Sequence, residues 1–273
     1  MEDDLPEDFG YTPSIRSEVA INNTTSLPAE LTALLTALDK VEPEALTSCP
    51  GWTAHHIAAH ICGNYEEIEQ HVGAFEEGRP LERTRTWDER EQPLRELDHA
   101  MLLGRIEDRA AVLAVLISRV LNEEPEAELT WTGRTVRVAG FLTHLRSENA
   151  LHRWDLMGDD ETSHELLGQQ DLLVHAVSFI GLPLLRRGLA SGAGPEPFLA
   201  RVRSEGRDDL IVEASEGSAH LSVAPPQGSP TVHGDPAARL LLLWGRKPAP
   251  FYRLRAGHDR PAAYRAQALL AGY

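Results

Sequence analysis

The chain has 273 residues, room for one large or two ordinary domains, and its 42% hydrophobic and 25% charged residues are an ordinary globular balance. A formal charge of −16 argues against a nucleic-acid partner, which needs a basic face to displace counterions, and against docking on anionic lipid. No apolar run in the sequence approaches the roughly 20 residues of a membrane span, and the acidic N-terminus lacks the apolar stretch of a signal peptide. The two cysteines, Cys49 and Cys62, exclude a disulfide scaffold. The chain is therefore expected in the cytoplasm, with small-molecule partners, no nucleic acid and no membrane, as a monomer or homodimer.

Taken in order, residues 1–26 read as an acidic, polar arm. Residues 28–46 read as a helix with Leu31, Leu34, Leu35 and Leu38 at helical spacing, stopped by the Ser48-Cys49-Pro50-Gly51 turn. Thr53 is placed to cap a second helix ending near Gly73 or Gly78. A third helix is expected over 89–121, with Pro93 tolerated in its first turn. The β-branched stretch LTWTGRTVRVAG should be extended, and a fourth helix should run from about Thr135 to Met157. Beyond Asp159-Asp160-Glu161 a helix over 165–189 leads into a Gly/Pro-rich break at 191–197. The runs FLARVR, DLIVEA and AHLSVA then read as antiparallel strands. A strand should end at Gly234, with Asp235 capping a short helix that opens at Pro236, and Asp259 should cap the last helix. The pattern is α+β: a four-helix bundle over 27–160 and a linker helix with a smaller α+β domain over 161–273.

Chemistry concentrates in the fourth helix, where His144, Glu148 and His152 follow one another at four-residue intervals. At 100° per residue, Leu145 and His152 lie within about 40° of Phe141 and Glu148 about 20° to the other side, so both polar groups share the apolar face. A carboxylate and an imidazole turned inward must be paired, hydrogen-bonded or metal-bound. On the second helix His60 sits at the edge of the Ile57, Ile61, Ile68 stripe, with His56 a turn before it and Asn64 a turn after. His60, Glu148 and His152 would suit a first-row divalent ion, zinc first among them, with a coordination position left open. The plainer alternative is a hydrogen-bonded i,i+4 pair. His144 and His56 read as supporting or structural residues, and His71, His99, His164, His175, His220, His233 and His258 as ordinary polar ones. Cys49 and Cys62 read as inert thiols. Arg246, closing the Trp244-Gly245-Arg246 run, either binds an anion in a cleft or caps its own helix.

The wording of three segments goes further. SCPGWTAHHIAAHICG resembles the C-P-G-W-T…A-H-L-x-G segment of the mycothiol-dependent maleylpyruvate isomerase family, within the DinB-like metalloenzyme superfamily. FLTHLRSENALHRWDL resembles its E-x-x-x-H-R-W-D segment, and TVHGDPAARLLLLWGR its C-terminal G-D-x-A…L-L-L-W-G-R segment, which is similar to sterol-carrier folds. The resemblance runs from about Leu27 to Arg246. It implies a DinB-like bundle with a metal held by His60, Glu148 and His152, mycothiol as thiol cosubstrate, and Arg246 facing the active-site cleft to bind a substrate anion. It also lets Asp155 orient an imidazole through its second nitrogen. The family commonly carries an Arg-Asp pair where this chain has His55-His56.

These implications converge on a metal-bound thiolate attacking a small electrophile. The altered His55-His56 pair points to a mycothiol S-transferase. The alternatives are maleylpyruvate cis-trans isomerisation, metal-dependent hydrolysis, and a non-catalytic small-molecule carrier with a structural metal.

Overall fold

The computed structural model describes residues 27–190, 197–215, 218–246, 253–257 and 260–270. The arm expected over 1–26, nearly all of the break at 191–197 and the cap expected at Asp259 lie outside the described residues. In chain order come α1 (Ala29–Lys40), α2 (Ala54–Glu76), α3 (Trp87–Arg95), α4 (His99–Glu123), a hairpin of β1 (Glu128–Trp131) and β2 (Arg134–Arg137), and α5 (Gly140–Met157). Helix α2 packs on α4, and α1 on α5. Their shared core holds Leu31, Leu34, Ile57, Ile61, Ile68, Ile106, Leu113, Ile117 and Phe141. Each such buried side chain contributes about 1.5–3 kcal/mol.

Three boundaries depart from the sequence reading, each for a local reason. Helix α1 ends at Lys40 and not near residue 46, because Pro43 has no N–H to give and disfavours helical backbone at Glu42. The expected 89–121 helix is two helices. Thr86 and Glu89 cap each other's backbone and start α3 early, which puts Pro93 inside the helix, and α3 stops two residues later. Asp98 then restarts the chain as α4, accepting from the backbone N–H groups of Ala100 at 2.9 Å and Met101 at 3.4 Å. The helix expected from Thr135 begins only at Gly140: Thr132 and Gly133, both at positive φ (51° and 74°), close a tight hairpin that commits 134–137 to strand.

The second layer comprises α6 (Glu161–Leu167), α7 (Gln170–Ala176), one π-helical turn (Val177–Gly181) and α8 (Leu182–Ala190). The single helix expected over 165–189 is thus broken at Gly168, after Asp160 has capped α6 by accepting from the Ser163 N–H at 2.7 Å. The stretch Gln170–Ala190 is helical throughout, 21 residues with a mean hydropathy of 1.4 in its most apolar window, long and apolar enough to match a membrane span by those measures. Its Leu172, Leu173, Ala176 and Leu185 pack in the second core. Strands β3 (Phe198–Arg203), β4 (Asp209–Ser215), β5 (Ser218–Ala224) and β6 (Val232–Gly234), then α9 (Pro236–Leu243), β7 (Leu254–Ala256) and α10 (Arg260–Leu270), complete the described chain. The sheet order is β5-β4-β3-β6-β7, antiparallel except for the parallel β3–β6 pair.

The architecture is α+β, a helical N-terminal domain followed by a sheet domain. Helix α5 belongs to both cores: Phe141 and Leu145 pack in the first, Ala150, Leu151 and Trp154 in the second. Residues on its central turns therefore sit where the two layers meet.

Candidate metal centre

The segment ahead of α2 sets the site's roof. Residues 49–52 form a tight turn in which the Trp52 N–H donates to the Cys49 carbonyl at 3.0 Å. Pro50 supplies its fixed φ, and Gly51, at φ +80°, supplies the left-handed corner that a side chain would strain. The Ser48 N–H donates to the Asp155 carbonyl at 2.8 Å, tying this turn to the end of α5. Trp52 is thereby laid over His152, ring centroids 6.0 Å apart and planes 10° from parallel. Thr53 caps α2 in a reciprocal bond with His56, whose Nδ1 accepts from the Thr53 N–H at 3.1 Å.

Helices α2 and α5 bring His60, Glu148 and His152 together, all buried, with one donor atom from each within 4.8 Å of the others. His60 Nε2 lies 3.4 Å and His152 Nε2 3.3 Å from the same carboxylate oxygen, Glu148 Oε2. The opposite ring nitrogens are turned to carboxylates. His60 Nδ1 meets Glu91 Oε1 at 2.8 Å, and Glu91 in turn accepts from Arg95 at 2.6 Å. His152 Nδ1 lies 3.0 Å from Asp155 Oδ2, an ion-pair distance without good hydrogen-bond alignment. His144 Nε2 stands 3.7 Å from the other Glu148 oxygen. Two imidazoles with Nε2 converging and Nδ1 backed by carboxylates is the arrangement that presents lone pairs to a cation.

Charge supports that fit. Burial pushes the Glu148 carboxyl up, but the imidazoles of His152, His60 and His144 outweigh it and hold Glu148 ionised, well below the usual carboxylate range. Burial lowers His152, yet Asp155, Cys49 and Glu148 carry it well above the usual imidazole value. Asp155 is itself desolvated upward and driven down overall by His152 and Arg246. Positive charge is thus drawn to the space between Glu148 and His152, where a divalent ion would take the proton's place. His144, by contrast, is pushed down to about 4 by burial and stays a neutral neighbour among Trp131, Phe179 and Trp244.

Arg246 comes from the turn after α9 and reaches back to α5. Its Nη2 donates to Asp155 Oδ2 at 2.8 Å and its Nε to Oδ1 at 3.3 Å, while Nη1 donates to the Trp244 carbonyl at 3.2 Å. It closes its own helix end, and the anion it engages is the chain's own Asp155. Cys49 Sγ donates to Asp155 Oδ2 at 3.2 Å and lies 3.4 Å from Arg246 Nη2, so this thiol belongs to the support of His152 and does not stand apart from the site. His55 bonds the His99 ring at 3.1 Å and the Arg95 carbonyl at 3.0 Å; with His56 in the α2 cap, both rings are occupied by structural contacts.

Sequence reasoning did not reach Glu91, Arg90 or the seating of Trp52 and Trp87 around His60. Glu91 lies in the polar run WDEREQPLR, where only Leu94, three residues on, signals a buried face. Gly63 on α2 faces this helix: a Cβ there would touch the Arg90 Cβ at 3.4 Å, an ordinary contact.

The fold and site together define a helical bundle that gathers two histidines and a glutamate, each histidine facing a carboxylate, a donor set that could hold a metal ion. Residues 25–157 match the family model of the mycothiol maleylpyruvate isomerase N-terminal domain. Two crystal structures of the mycothiol-dependent maleylpyruvate isomerase share the fold at 17% identity. A histidine-to-alanine variant aligns with a TM-score of 0.57, covering 80% of this chain and 85% of its own. The other aligns at 0.54, covering 81% and 86%. A comparison with curated proteins gave no match.

Proposed function

We propose that the chain is a metal- and mycothiol-dependent isomerase acting on a small unsaturated carboxylate. The observation that carries this reading is the His60–Glu148–His152 cluster, with its backing carboxylates, inside a domain that matches the family model named for that reaction. The three residues would hold a divalent ion, zinc first on an N,N,O donor set, which when bound supplies a Lewis acid that keeps a thiol as thiolate. The reaction asked of such a site is reversible addition of sulfur to a conjugated double bond, rotation about the resulting single bond, and elimination that returns the thiol. Glu91 and Asp155 fix the two imidazoles, Trp52 and Trp87 wall the His60 side, and Arg246 holds Asp155 in register from the sheet domain.

S-transfer is the weaker reading, because the His55-His56 pair that suggested a changed substrate is engaged in a helix cap and in contacts with Arg95 and His99. The test is to incubate zinc-loaded protein with mycothiol and maleylpyruvate and follow the alkene protons by NMR. Catalytic cis-to-trans conversion with the thiol unconsumed supports isomerisation. Alkylation of mycothiol by an electrophile such as monobromobimane, with release of bromide, accelerated by the zinc-loaded protein above the spontaneous rate would establish transfer, and no protein-dependent product in either reaction would leave a metal-binding carrier.

A further inference from the structure

Resting on the reading just given, we infer that Arg90 is the residue that binds the substrate's carboxylate. The inference begins with an imbalance of charge. Among the described residues, the buried Arg153 and Arg253 are met by carboxylates, Asp160 for the first and Asp235 with Asp159 for the second, whereas Arg239, far from the donors, is met like Arg90 by a carbonyl oxygen alone, that of Asp208. Arg90 is only 6% exposed, and its one hydrogen bond is from Nη1 to the side-chain oxygen of Asn64, at 3.0 Å. Its Nε has no partner, and no carboxylate among the described residues lies within 4.0 Å of it. The three acids near enough to be felt are committed elsewhere: Glu67 to Arg85, Glu91 to Arg95 and His60, Glu148 to its imidazoles. A guanidinium buried without a counter-anion costs several kcal/mol, and an anionic ligand would offset that cost.

Its position gives the ligand's address. Asn64 links Arg90 to the centre, since its amide nitrogen lies 3.1 Å from His60 Nε2, the nitrogen turned toward Glu148. Arg90 is thus one side chain removed from the three donors, and a small carboxylate reaching the metal would come close to its charge. Arg246, the arginine singled out in the sequence, is already engaged with Asp155. Arg90 is therefore the guanidinium beside the donors whose anion is missing.

The test is calorimetric titration of zinc-loaded protein with maleate, a dicarboxylate probe, in the absence of thiol and turnover. Arg90→Gln, which keeps a donor for Asn64 but removes the charge, should weaken maleate binding on the order of 10–100-fold with zinc content unchanged and the melting temperature not lowered. Arg90→Lys, which keeps the charge and guards against a folding defect, should fall between the two. Wild-type affinity in Arg90→Gln, no maleate binding by the wild type, a lysine variant no better than the glutamine one, or loss of zinc together with maleate would each overturn the assignment; the last would make Arg90 a prop for His60. Arg90-dependent maleate binding in a protein with no thiol-dependent turnover would leave the assignment standing and remove the isomerase reading instead.

Discussion

Glu91 is the sharpest place to test whether the cluster is a metal site or a set of buried hydrogen bonds. Its carboxylate is fully buried and stands 2.8 Å from His60 Nδ1. If His60 presents Nε2 to a metal, Glu91 fixes the ring's tautomer and raises its basicity, a role worth about 10–100-fold in metal affinity, or roughly 1.4–2.7 kcal/mol. Glu91→Gln retains a carbonyl oxygen for the Nδ1–H while losing the charge and the acceptor for Arg95, so for zinc it should sit near the lower figure. Glu91→Ala leaves that N–H with no acceptor and should approach the upper one. The Arg95 side chain is 27% exposed, so water meets part of its lost ion pair, and the fold should lose only about 1–2 kcal/mol. The assay is competition for zinc against a chromogenic chelator, with urea unfolding of the same variants alongside. An alanine variant that binds zinc as tightly as the wild type would refute the proposed coordination by His60. So would a glutamine variant weaker than the alanine one.

Further expectations follow from the same geometry. Arg246→Gln should loosen zinc by a smaller factor than Glu91→Ala, since it acts on His152 only through Asp155; an unchanged affinity in chelator competition counts against the coupling. Hydrogen bonds from Arg153 above all hold the Asp160 carboxyl down at about 2, so its stabilising contribution is complete above the unfolded value near 4 and fades as pH falls toward 2. With that side chain 38% exposed the contribution should be about 1 kcal/mol, and the stability gap between wild type and Asp160→Asn in urea should narrow between pH 6 and pH 3. Burial pushes the Cys62 thiol up to about 12, so iodoacetamide at pH 8 should label Cys49 alone until the protein is unfolded, as read by peptide mass. A Cβ at Gly188 would stand 2.0 Å from the Leu269 carbonyl oxygen, so Gly188→Ala should force α8 and α10 apart and cost about 1–3 kcal/mol in thermal unfolding.

Much of the molecule could be read from spacing alone. The leucine and isoleucine stripes placed the bundle helices, Thr53 and Asp235 were legible as caps, and the alternating runs after residue 197 became β3, β4 and β5. The misjudged boundaries share one cause. Pro93, Thr86 and the Thr132-Gly133 corner act through backbone hydrogen bonds and φ, to which hydrophobic periodicity is blind.

By itself the sequence determined which helix faces carry His60, Glu148 and His152, because a helical repeat ties residues four apart to one side of a cylinder whatever lies opposite. Only the tertiary structure decided what completes them. Glu91 comes from a separate helix packed on α2, Asp155 is clamped by an arginine 91 positions later, and Arg90 is buried beside the donors without an acid of its own. Contacts between distant elements depend on packing angles and on which charges are left unmatched, and a linear pattern records neither.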